Sequence, residues 1–346
     1  MLYINGRFLT QPLTGVNRFA YELTRALIQQ GVDIIVVCPK KKLISDYDIS
    51  KFTIIKFGFG TSHVWEQFSL PFFFVGKGDY FLLNFTGAGP IAISNKIITI
   101  HDLAFLENPS WYSRSYVILY KFLTPLSAKT SKRILTVSEF SKKEITNKLG
   151  INSEKIEVIY NAATKCESEN KSILSNVPER FLLAVSSIDP RKNFERLVRV
   201  FSHLCDYNLV VVGSGYRSFS GVNIQTDSKN IYFLGRVSDS ELTSLYKKAM
   251  AFIYPSLYEG FGIPPIEAMS YGCPVVVSDI DVLHEVCGEA ALYIDQLDEI
   301  DIKNKVEEIC NNPSLRDDLR GKGYKNINRF SWESSANKLQ QLLETL

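Results

Sequence analysis

Short apolar runs with the composition of buried β-strands alternate with amphipathic segments along both halves of this chain. Strands of a parallel sheet are covered on both faces and read as continuous apolar runs, whereas the helices that cover them are amphipathic. The alternation predicts an α/β protein with a parallel sheet in each half. The predicted strands are 34–37, 97–100, 134–137 and 156–159 in the first half, and 181–185, 209–212, 252–254 and 275–277 in the second.

The length of 346 residues is sufficient for two domains with separate hydrophobic cores. A polar segment at 164–178, rich in Ser, Asn and Glu, lacks periodicity and is predicted to be the linker. We therefore expect one domain over residues 1–165 and another over 179–330. The last segment, 331–346, has the pattern of an amphipathic helix.

Composition excludes several classes of protein. The net charge of +2 and the lack of any recognisable DNA- or RNA-binding motif argue against a nucleic-acid partner. No apolar run approaches the roughly 18 residues that span a bilayer, and the N-terminus lacks the regions of a signal peptide. Six cysteines lie too far apart for metal-ligand pairs. We expect a cytoplasmic protein with reduced thiols.

The segment from Glu259 to Glu267 is suited to an anionic, hydroxylated ligand. It follows a predicted strand, and Gly260 and Gly262 permit a tight turn into a helix whose first turn tolerates prolines. Backbone N–H groups at such a helix start favour a phosphate. The carboxylate at either end can accept hydrogen bonds from neighbouring hydroxyls of a ribose or hexose.

Two adjacent cations, Arg191 and Lys192, follow the strand predicted at 181–185. Because ligands of parallel sheets bind beyond the carboxyl ends of the strands, these cations are placed to bind a diphosphate. A solvated basic turn is the alternative interpretation.

His101 and Asp102 end the strand predicted at 97–100. A histidine at a strand end is placed for a functional role, and Asp102 could orient the imidazole or act in its own right. A purely structural histidine is the alternative.

Gly15 precedes a predicted helix in which apolar residues recur at the spacing of one buried face: Val16, Phe19, Ala20, Leu23 and Leu27. A glycine there lets the backbone approach a ligand, and the helix N-terminus favours negative charge. An ordinary helix start explains the same residues.

The segment 259–267, with Tyr254-Pro255-Ser256-Leu257-Tyr258 before it and 268–276 after it, resembles the Glu-x7-Glu signature of retaining glycosyltransferase family 4, or glycosyl transferases group 1. The resemblance covers nearly the whole chain and is to members of the bacterial surface-polysaccharide type. It implies the GT-B fold, with two Rossmann-like domains whose parallel sheets face a central cleft. It also implies that the C-terminal helix crosses back to the N-terminal, acceptor-side domain.

The resemblance implies a role for each donor-site residue. Glu267 would accept the ribose hydroxyls, whereas Glu259 and the turn Gly260-Phe261-Gly262 would contact the donor hexose. Lys192 stands at the family's lysine position. Ser187 stands where many members have an arginine, so Arg191 is predicted to supply the second charge on the diphosphate.

In the N-terminal domain, Gly15 matches the family's glycine-containing loop, which meets the donor diphosphate. His101 matches a histidine that lies beside the donor sugar and the acceptor hydroxyl. The residues predicted to take part in catalysis are His101, Asp102 and Glu259.

The function implied is transfer of a hexose, with retention, from a nucleotide-diphosphate sugar to a glycan. GDP-mannose is the favoured donor, and a UDP- or dTDP-sugar remains open. The expected acceptor is a lipid-linked oligosaccharide of O-antigen or capsule biosynthesis. The alternatives are a sugar-nucleotide hydrolase or epimerase of the same fold, and a non-catalytic donor-binding partner.

We predict no metal and no cofactor besides the sugar nucleotide. Asp279-Ile280-Asp281 is similar to the Asp-x-Asp metal motif of the other glycosyltransferase fold, but we interpret Ser278 or Asp279 as a helix cap. Gly213-Ser214-Gly215 lacks the third glycine of a dinucleotide fingerprint, which disfavours an oxidoreductase.

The segment 111–137 contains no acidic residue, and its Lys and Arg residues are interleaved with aromatic ones. This composition is typical of helices that lie on anionic lipid headgroups, so we predict peripheral contact with the inner face of the cytoplasmic membrane. An ordinary helix with a basic outer face is the alternative.

Overall fold

The computed structural model describes residues 1–44, 47–187, 189–213 and 228–346. They form two compact units. The first unit contains Met1–Leu106, Val117–Asn161 and Phe330–Leu346, and the second contains Glu107–Tyr116 and Ala162–Arg329. Each unit has its own sheet and its own helices.

Strands in the described part of the chain pair in parallel, as the apolar runs predict. They are β1 Leu2–Asn5, β2 Ile34–Pro39, β3 Thr53–Phe57, β4 Phe81–Asn84, β5 Lys96–Thr99, β6 Arg133–Thr136, β7 Ile156–Val158, β8 Leu182–Val185, β9 Leu209–Val212, β10 Ile231–Gly235, β11 Ala251–Tyr254, β12 Val275–Ser278 and β13 Ala291–Ile294. The first sheet has seven strands in the order β3-β2-β1-β4-β5-β6-β7, and the second has six in the order β10-β9-β8-β11-β12-β13.

Strand order reverses once in each sheet, between β1 and β4 in the first unit and between β8 and β11 in the second. In an open parallel sheet this switch point leaves a crevice beyond the carboxyl ends of the two strands, where ligands bind. The fold therefore marks one candidate position in each unit.

The helices in the described residues lie between these strands or, for the last three, after β13. They are α1 Gly15–Gln29, α2 Ser62–Val64, α3 Leu70–Phe74, α4 Ala104–Glu107, α5 Arg114–Thr130, α6 Glu139–Leu149, α7 Phe194–Ser202, α8 Asp239–Lys248, α9 Ile263–Ser270, α10 Asp281–Cys287, α11 Glu299–Asn311, α12 Pro313–Asn326 and α13 Trp332–Glu344. A π-helical turn over Trp65–Ser69 joins α2 to α3. No helix of the described chain is long and apolar enough to cross a membrane.

Five strands were not predicted from the sequence. Three of them, β3, β10 and β13, are sheet edges with partly exposed residues, and in β3 polar residues interrupt the apolar run. The other two, β1 and β4, are central but short, and each ends in a buried asparagine. The eight predicted strands are all confirmed, with ends that differ by a residue or two.

The helix α1 buries Phe19, Ala20, Leu23 and Leu27, as predicted. Val16 is 38% exposed, so its assignment to the buried face was wrong. It lies in the first turn of the helix.

The C-terminal helix α13 packs on α1 within the first unit. The Gln30 side chain donates to Glu333 O and to Asn337 Oδ1, at 3.1 and 2.8 Å. Trp332 contacts the Phe19 ring edge-on, with the ring centroids 5.9 Å apart.

The segment predicted to be the linker is held on the second unit. The Cys166 N–H donates to Tyr271 Oη at 2.8 Å, and the Asn170 N–H donates to Ser240 O at 3.1 Å.

Candidate functional site

The loops that follow the neighbouring strands β8 and β11 meet at the switch point of the second unit. In the first loop, Asp189 Oδ1 accepts from the Arg191 N–H at 3.1 Å and caps a 3-10 turn over Pro190–Lys192. In the second loop, the Leu257 N–H donates to Arg191 O at 2.8 Å. These bonds place the basic motif directly beside the glutamate-containing turn.

Lys192 and Glu259 form a buried ion pair, with Nζ and Oε1 2.5 Å apart. Lys192 Nζ also donates to Tyr254 Oη at 2.7 Å. The hydroxyls of Tyr254 and Ser256 donate to the same carboxylate oxygen, at 2.7 and 2.6 Å. Glu259 Oε1 is therefore surrounded by donors, which fix the carboxylate in one orientation.

Arg191 approaches the other carboxylate oxygen. Its NH1 lies 3.5 Å from Glu259 Oε2 and donates to Tyr258 O at 3.3 Å, and its side chain is 12% exposed. Both predicted diphosphate-binding cations thus converge on Glu259.

This cluster shifts the pKa values of its members. Burial alone would raise the pKa of Glu259, but the charges of Lys192 and Arg191, with the hydrogen bonds from Lys192 and Ser256, hold it at about 2. Burial, with the Arg191 charge, lowers the pKa of Lys192, and Glu259 opposes that shift. Burial and the Glu259 charge raise the pKa of Tyr254 well above its usual value. At neutral pH the Glu259 carboxyl is ionised and the Tyr254 phenol is neutral.

The turn after Glu259 is built as predicted. Gly262 has a φ of 98° and is followed by α9, which carries prolines in its first turn. A Cβ at Gly262 would lie 2.7 Å from Leu283 Cδ2. The Phe261 side chain is only 3% exposed, so a ligand would meet the backbone at that position. Glu267 lies one turn into α9 and is partly exposed.

Three members of this cluster were not predicted as site residues: Asp189, Tyr254 and Ser256. Each lies within a few residues of a motif that was singled out, and polar side chains at strand ends were an available signal. Asp189, Tyr254 and Ser256 contact residues of their own loops, whereas the bond from Lys192 to Tyr254 joins the loops after two strands and could not be deduced from the sequence.

In the first unit, His101 follows β5 and its ring is fixed by two contacts. Nε2 lies 2.8 Å from Phe85 O, and because a carbonyl only accepts, Nε2 carries the proton. The ring also packs edge-on against Phe19 at 5.0 Å between centroids. Burial lowers the pKa of His101, although the Phe85 bond and the Asp102 charge oppose the shift. The imidazole is therefore neutral at pH 7.

Asp102 Oδ1 accepts from the Ala104 N–H at 3.0 Å, at the start of α4. The hydrogen bond that orients the imidazole is the one that His101 Nε2–H donates to Phe85 O. Gly15 is exposed and is the first residue of α1, whose cap is the Thr14 side chain accepting from Asn17 N–H at 3.4 Å.

The predicted cap at Ser278 or Asp279 was wrong. Helix α10 begins without a side-chain cap, because Ser278 Oγ donates to Tyr254 O and Asp279 Oδ1 is bound by His284 Nε2 at 2.5 Å. Ser214 and Gly215 of the glycine-containing segment lie outside the described residues. Among described residues, no group of three or more His, Cys, Asp or Glu side chains could hold a metal ion.

Two Rossmann-like units, each with a parallel sheet and one switch point, define the GT-B class of glycosyltransferase folds. The chain belongs to the corresponding family. Residues 13–163 match the family described as Glycosyltransferase Family 4, and residues 166–326 match Glycosyl transferases group 1.

Two curated relatives are O-antigen mannosyltransferases. The chain is 38% identical over 224 residues to O-antigen chain mannosyltransferase RfbU of Salmonella typhimurium, covering 63% of this chain and 61% of the relative. It is 31% identical over 265 residues to O-antigen chain mannosyltransferase B of Escherichia coli, covering 71% and 69%. The match to RfbU thus spans less than two thirds of that protein.

A solved structure of HepE from Anabaena, in complex with UDP and glucose, has a similar fold. The TM-score is 0.75 with 14% sequence identity, over 100% of this chain and 99% of HepE. At this identity the comparison supports the fold alone.

Proposed function

We propose that this chain is a retaining glycosyltransferase that moves a hexose from a nucleotide-diphosphate sugar to a glycan acceptor without a metal ion. The observation that carries the proposal is the convergence of Arg191, Lys192 and Glu259 at the switch point of the second unit, in a chain of a glycosyltransferase family. Cations held at this position suit the diphosphate of a sugar nucleotide.

Arg191 is the cation better placed to meet the diphosphate first. Lys192 is held by Glu259 and Tyr254, whereas the Arg191 guanidinium retains some exposure and lies 3.5 Å from its carboxylate neighbour. Cleavage of the glycosidic bond places negative charge on the leaving diphosphate. Two fixed cations beside that charge would stabilise the transition state without a metal ion.

Glu267 would accept the ribose hydroxyls of the donor, since it is partly exposed on the first turns of α9. Glu259 and the backbone of Gly260, Phe261 and Gly262 would contact the hexose. Gly15 would bring the start of α1 near the diphosphate. These assignments follow the resemblance to the family.

His101 is proposed to lie beside the acceptor hydroxyl. Its proton is on Nε2, so Nδ1 of the neutral ring can accept a hydrogen bond from that hydroxyl. Asp102 would add a negative charge nearby, which favours positive charge developing on the sugar.

The favoured donor is GDP-mannose, and the names of the two relatives support a mannosyl donor. A UDP- or dTDP-sugar is the alternative donor, and the donor screen described below distinguishes these from GDP-mannose. The proposed acceptor is a lipid-linked oligosaccharide of O-antigen biosynthesis, at the cytoplasmic face of the membrane.

Membrane contact through 111–137 is supported by the surface of α5. Ile118 and Phe122, one helical turn apart, are 71% and 64% exposed, and the cations Lys121 and Lys129 are exposed on the same helix. Apolar side chains among cations suit the headgroup region of an anionic bilayer.

The experiment that tests this function follows release of nucleoside diphosphate from GDP-mannose, UDP-glucose and dTDP-rhamnose. Each donor is tried with and without a polyprenyl-diphosphate oligosaccharide extract. The proposal expects release from one donor that rises strongly with acceptor. Release at the same rate without acceptor would instead identify a hydrolase, and no release with any donor would favour a non-catalytic binding protein.

A further inference from the structure

One helical face of the first unit is apolar and exposed. The helix α2, the π-helical turn and α3 follow one another without a break, so residues 62–74 form one continuous helical segment. Its outward side presents four apolar residues at helical spacing: Val64, Phe68, Phe72 and, directly after the segment, Val75. These side chains are 54%, 62%, 69% and 74% exposed. We call them the apolar stripe.

Phe59, which is 71% exposed, extends the stripe. Its N–H donates to Ser69 Oγ at 3.1 Å, and the Ser69 hydroxyl donates to Phe59 O at 2.7 Å. A Cβ at Gly60 would lie 3.1 Å from Val64 Cγ1, so this loop lies directly against the start of the segment. Together the five side chains leave roughly 600 Å² of apolar surface uncovered. A patch of that size marks an interaction surface.

The composition of the stripe favours a protein partner over a lipid surface. Between Lys56 and Lys77 the only Lys, Arg, Asp or Glu in the sequence is Glu66, and its side chain is fully buried. The Lys77 ammonium lies over the Phe73 ring, 4.4 Å from its centroid. Helices that lie on anionic headgroups have cations beside the apolar face, as α5 does. The centre of a protein interface is instead depleted of charge and enriched in aromatic residues.

The stripe is complementary to itself, because the order Val, Phe, Phe, Val is the same from either end. If two copies pack antiparallel about a twofold axis near residue 70, Phe68 of each copy meets Phe72 of the other. Val64 of each copy then meets the end of the segment at Val75. A symmetric dimer requires this kind of surface, in which one patch matches a second copy of itself.

The exposed area is also sufficient for a dimer. A stable interface buries about 800 Å² on each partner, with an apolar centre and a polar rim. The stripe and Phe59 supply most of that area from five side chains. Paired aromatic rings add to the attraction beyond the area that they bury.

We propose that two copies of this chain associate through the apolar stripe and Phe59, with their helical segments antiparallel about a twofold axis. The inference goes beyond the proposed sugar transfer and does not depend on it. Lipid contact remains assigned to the cationic helix α5, and the uncharged stripe is assigned to the second copy.

Sedimentation equilibrium of the full chain tests the proposal. At micromolar concentration we expect wild type to have twice the mass of one chain. The double variant Phe68→Glu with Phe72→Glu should be monomeric, with dimerisation weakened about 100-fold or more, because like charges would meet across the axis. The matched control is Leu297→Glu with Ile300→Glu, at 60% and 69% exposed positions of the second unit, which should remain dimeric.

A second pair of variants tests the antiparallel arrangement. In Phe68→Lys with Phe72→Glu, the new lysine of each copy faces the new glutamate of the other. This variant should dimerise at least about tenfold more tightly than Phe68→Lys with Phe72→Lys, in which like charges meet. Equal dimerisation of the two would overturn the proposed arrangement.

A monomeric wild type would overturn the dimer, as would a Phe68→Glu with Phe72→Glu variant that remains dimeric. Thermal unfolding shows whether each variant folds, and Val75→Glu, at a 74% exposed position, is a second disruption of the same stripe. Flotation with phosphatidylcholine vesicles tests the other partner: a monomeric wild type whose vesicle binding is lost in these variants would assign the stripe to lipid. Sedimentation uses neither donor nor acceptor, so failure of the proposed sugar transfer would leave this result unchanged.

Discussion

Lys192 Nζ and Glu259 Oε1 lie 2.5 Å apart although the two residues are 67 positions apart in the sequence. Each side chain is only 8% exposed, and the pair joins the loops after two neighbouring strands. A charge left alone at such a position is costly, whereas the intact pair is close to neutral in stability. The pair therefore fixes the shape of the site more than it stabilises the fold.

Replacing Lys192 with Met should lower the free energy of unfolding by about 3–5 kcal/mol, because Glu259 is left as an uncompensated buried charge. Urea denaturation at pH 7 measures this loss. The double variant Lys192→Met with Glu259→Gln should recover much of it, since neither charge remains. A double variant as unstable as the single one would show that the loss comes from packing.

Replacing Arg191 with Gln should raise KM for the donor about tenfold or more and lower kcat. The side chain is 12% exposed and its proposed role is to place positive charge beside the diphosphate, which matters most in the transition state. Initial rates of nucleoside diphosphate release measure both constants. Lys303→Gln, an exposed lysine on α11, is the control. Equal effects of the two variants would exclude a specific role for Arg191.

The lowered pKa of Glu259 predicts a contribution to acid unfolding. With a pKa of about 2 in the folded protein and about 4.5 when unfolded, the carboxylate stabilises the fold fully above pH 4.5. That stabilisation is lost as the pH falls from 4.5 towards 2. Between pH 6 and pH 3, wild type should lose about 2 kcal/mol more than Glu259→Gln. Urea titrations of both proteins at the two pH values measure the free energies of unfolding. An equal loss in wild type and in Glu259→Gln would contradict the lowered pKa of Glu259.

Gly262→Ala should destabilise the protein by about 2–3 kcal/mol and weaken donor binding. The residue has a φ of 98°, and the new Cβ would lie 2.7 Å from Leu283 Cδ2, so both backbone strain and a clash oppose the change. Gly31→Ala is the control, because its φ is 82° but nothing lies within 4 Å of the new Cβ. It should cost only about 1 kcal/mol, for strain alone. Thermal unfolding compares the two.

Phe122→Ser should reduce binding to anionic vesicles several-fold without lowering the unfolding midpoint, because the ring is 64% exposed. Flotation with vesicles containing phosphatidylglycerol measures binding, and vesicles of phosphatidylcholine alone provide the neutral comparison. Ile300→Ser, a 69% exposed residue on α11 of the second unit, is the control. If both variants bind as wild type does, α5 has an ordinary solvated face.

The sequence was sufficient to predict the fold class, eight strands and the turn around Gly262, because each depends on local composition or on nearby residues. Apolar runs identified the buried strands, and the spacing of Gly, Pro and Glu identified the strand-to-helix turn. Edge strands such as β3 were missed because a half-exposed strand mixes polar and apolar residues.

Partnership between distant residues was decided only by the tertiary structure. From sequence, Glu259 was predicted to contact a sugar and Lys192 a phosphate, but the fold brings the two together because β8 and β11 are neighbours. The buried hydrogen bond between Asn5 and Glu66 gave no signal at all, since each is an unremarkable polar residue until the fold brings the end of β1 to the π-helical turn. Local chemistry determines which residues can bind a ligand. The order of strands in the sheet, set by packing along the whole chain, determines which of them meet.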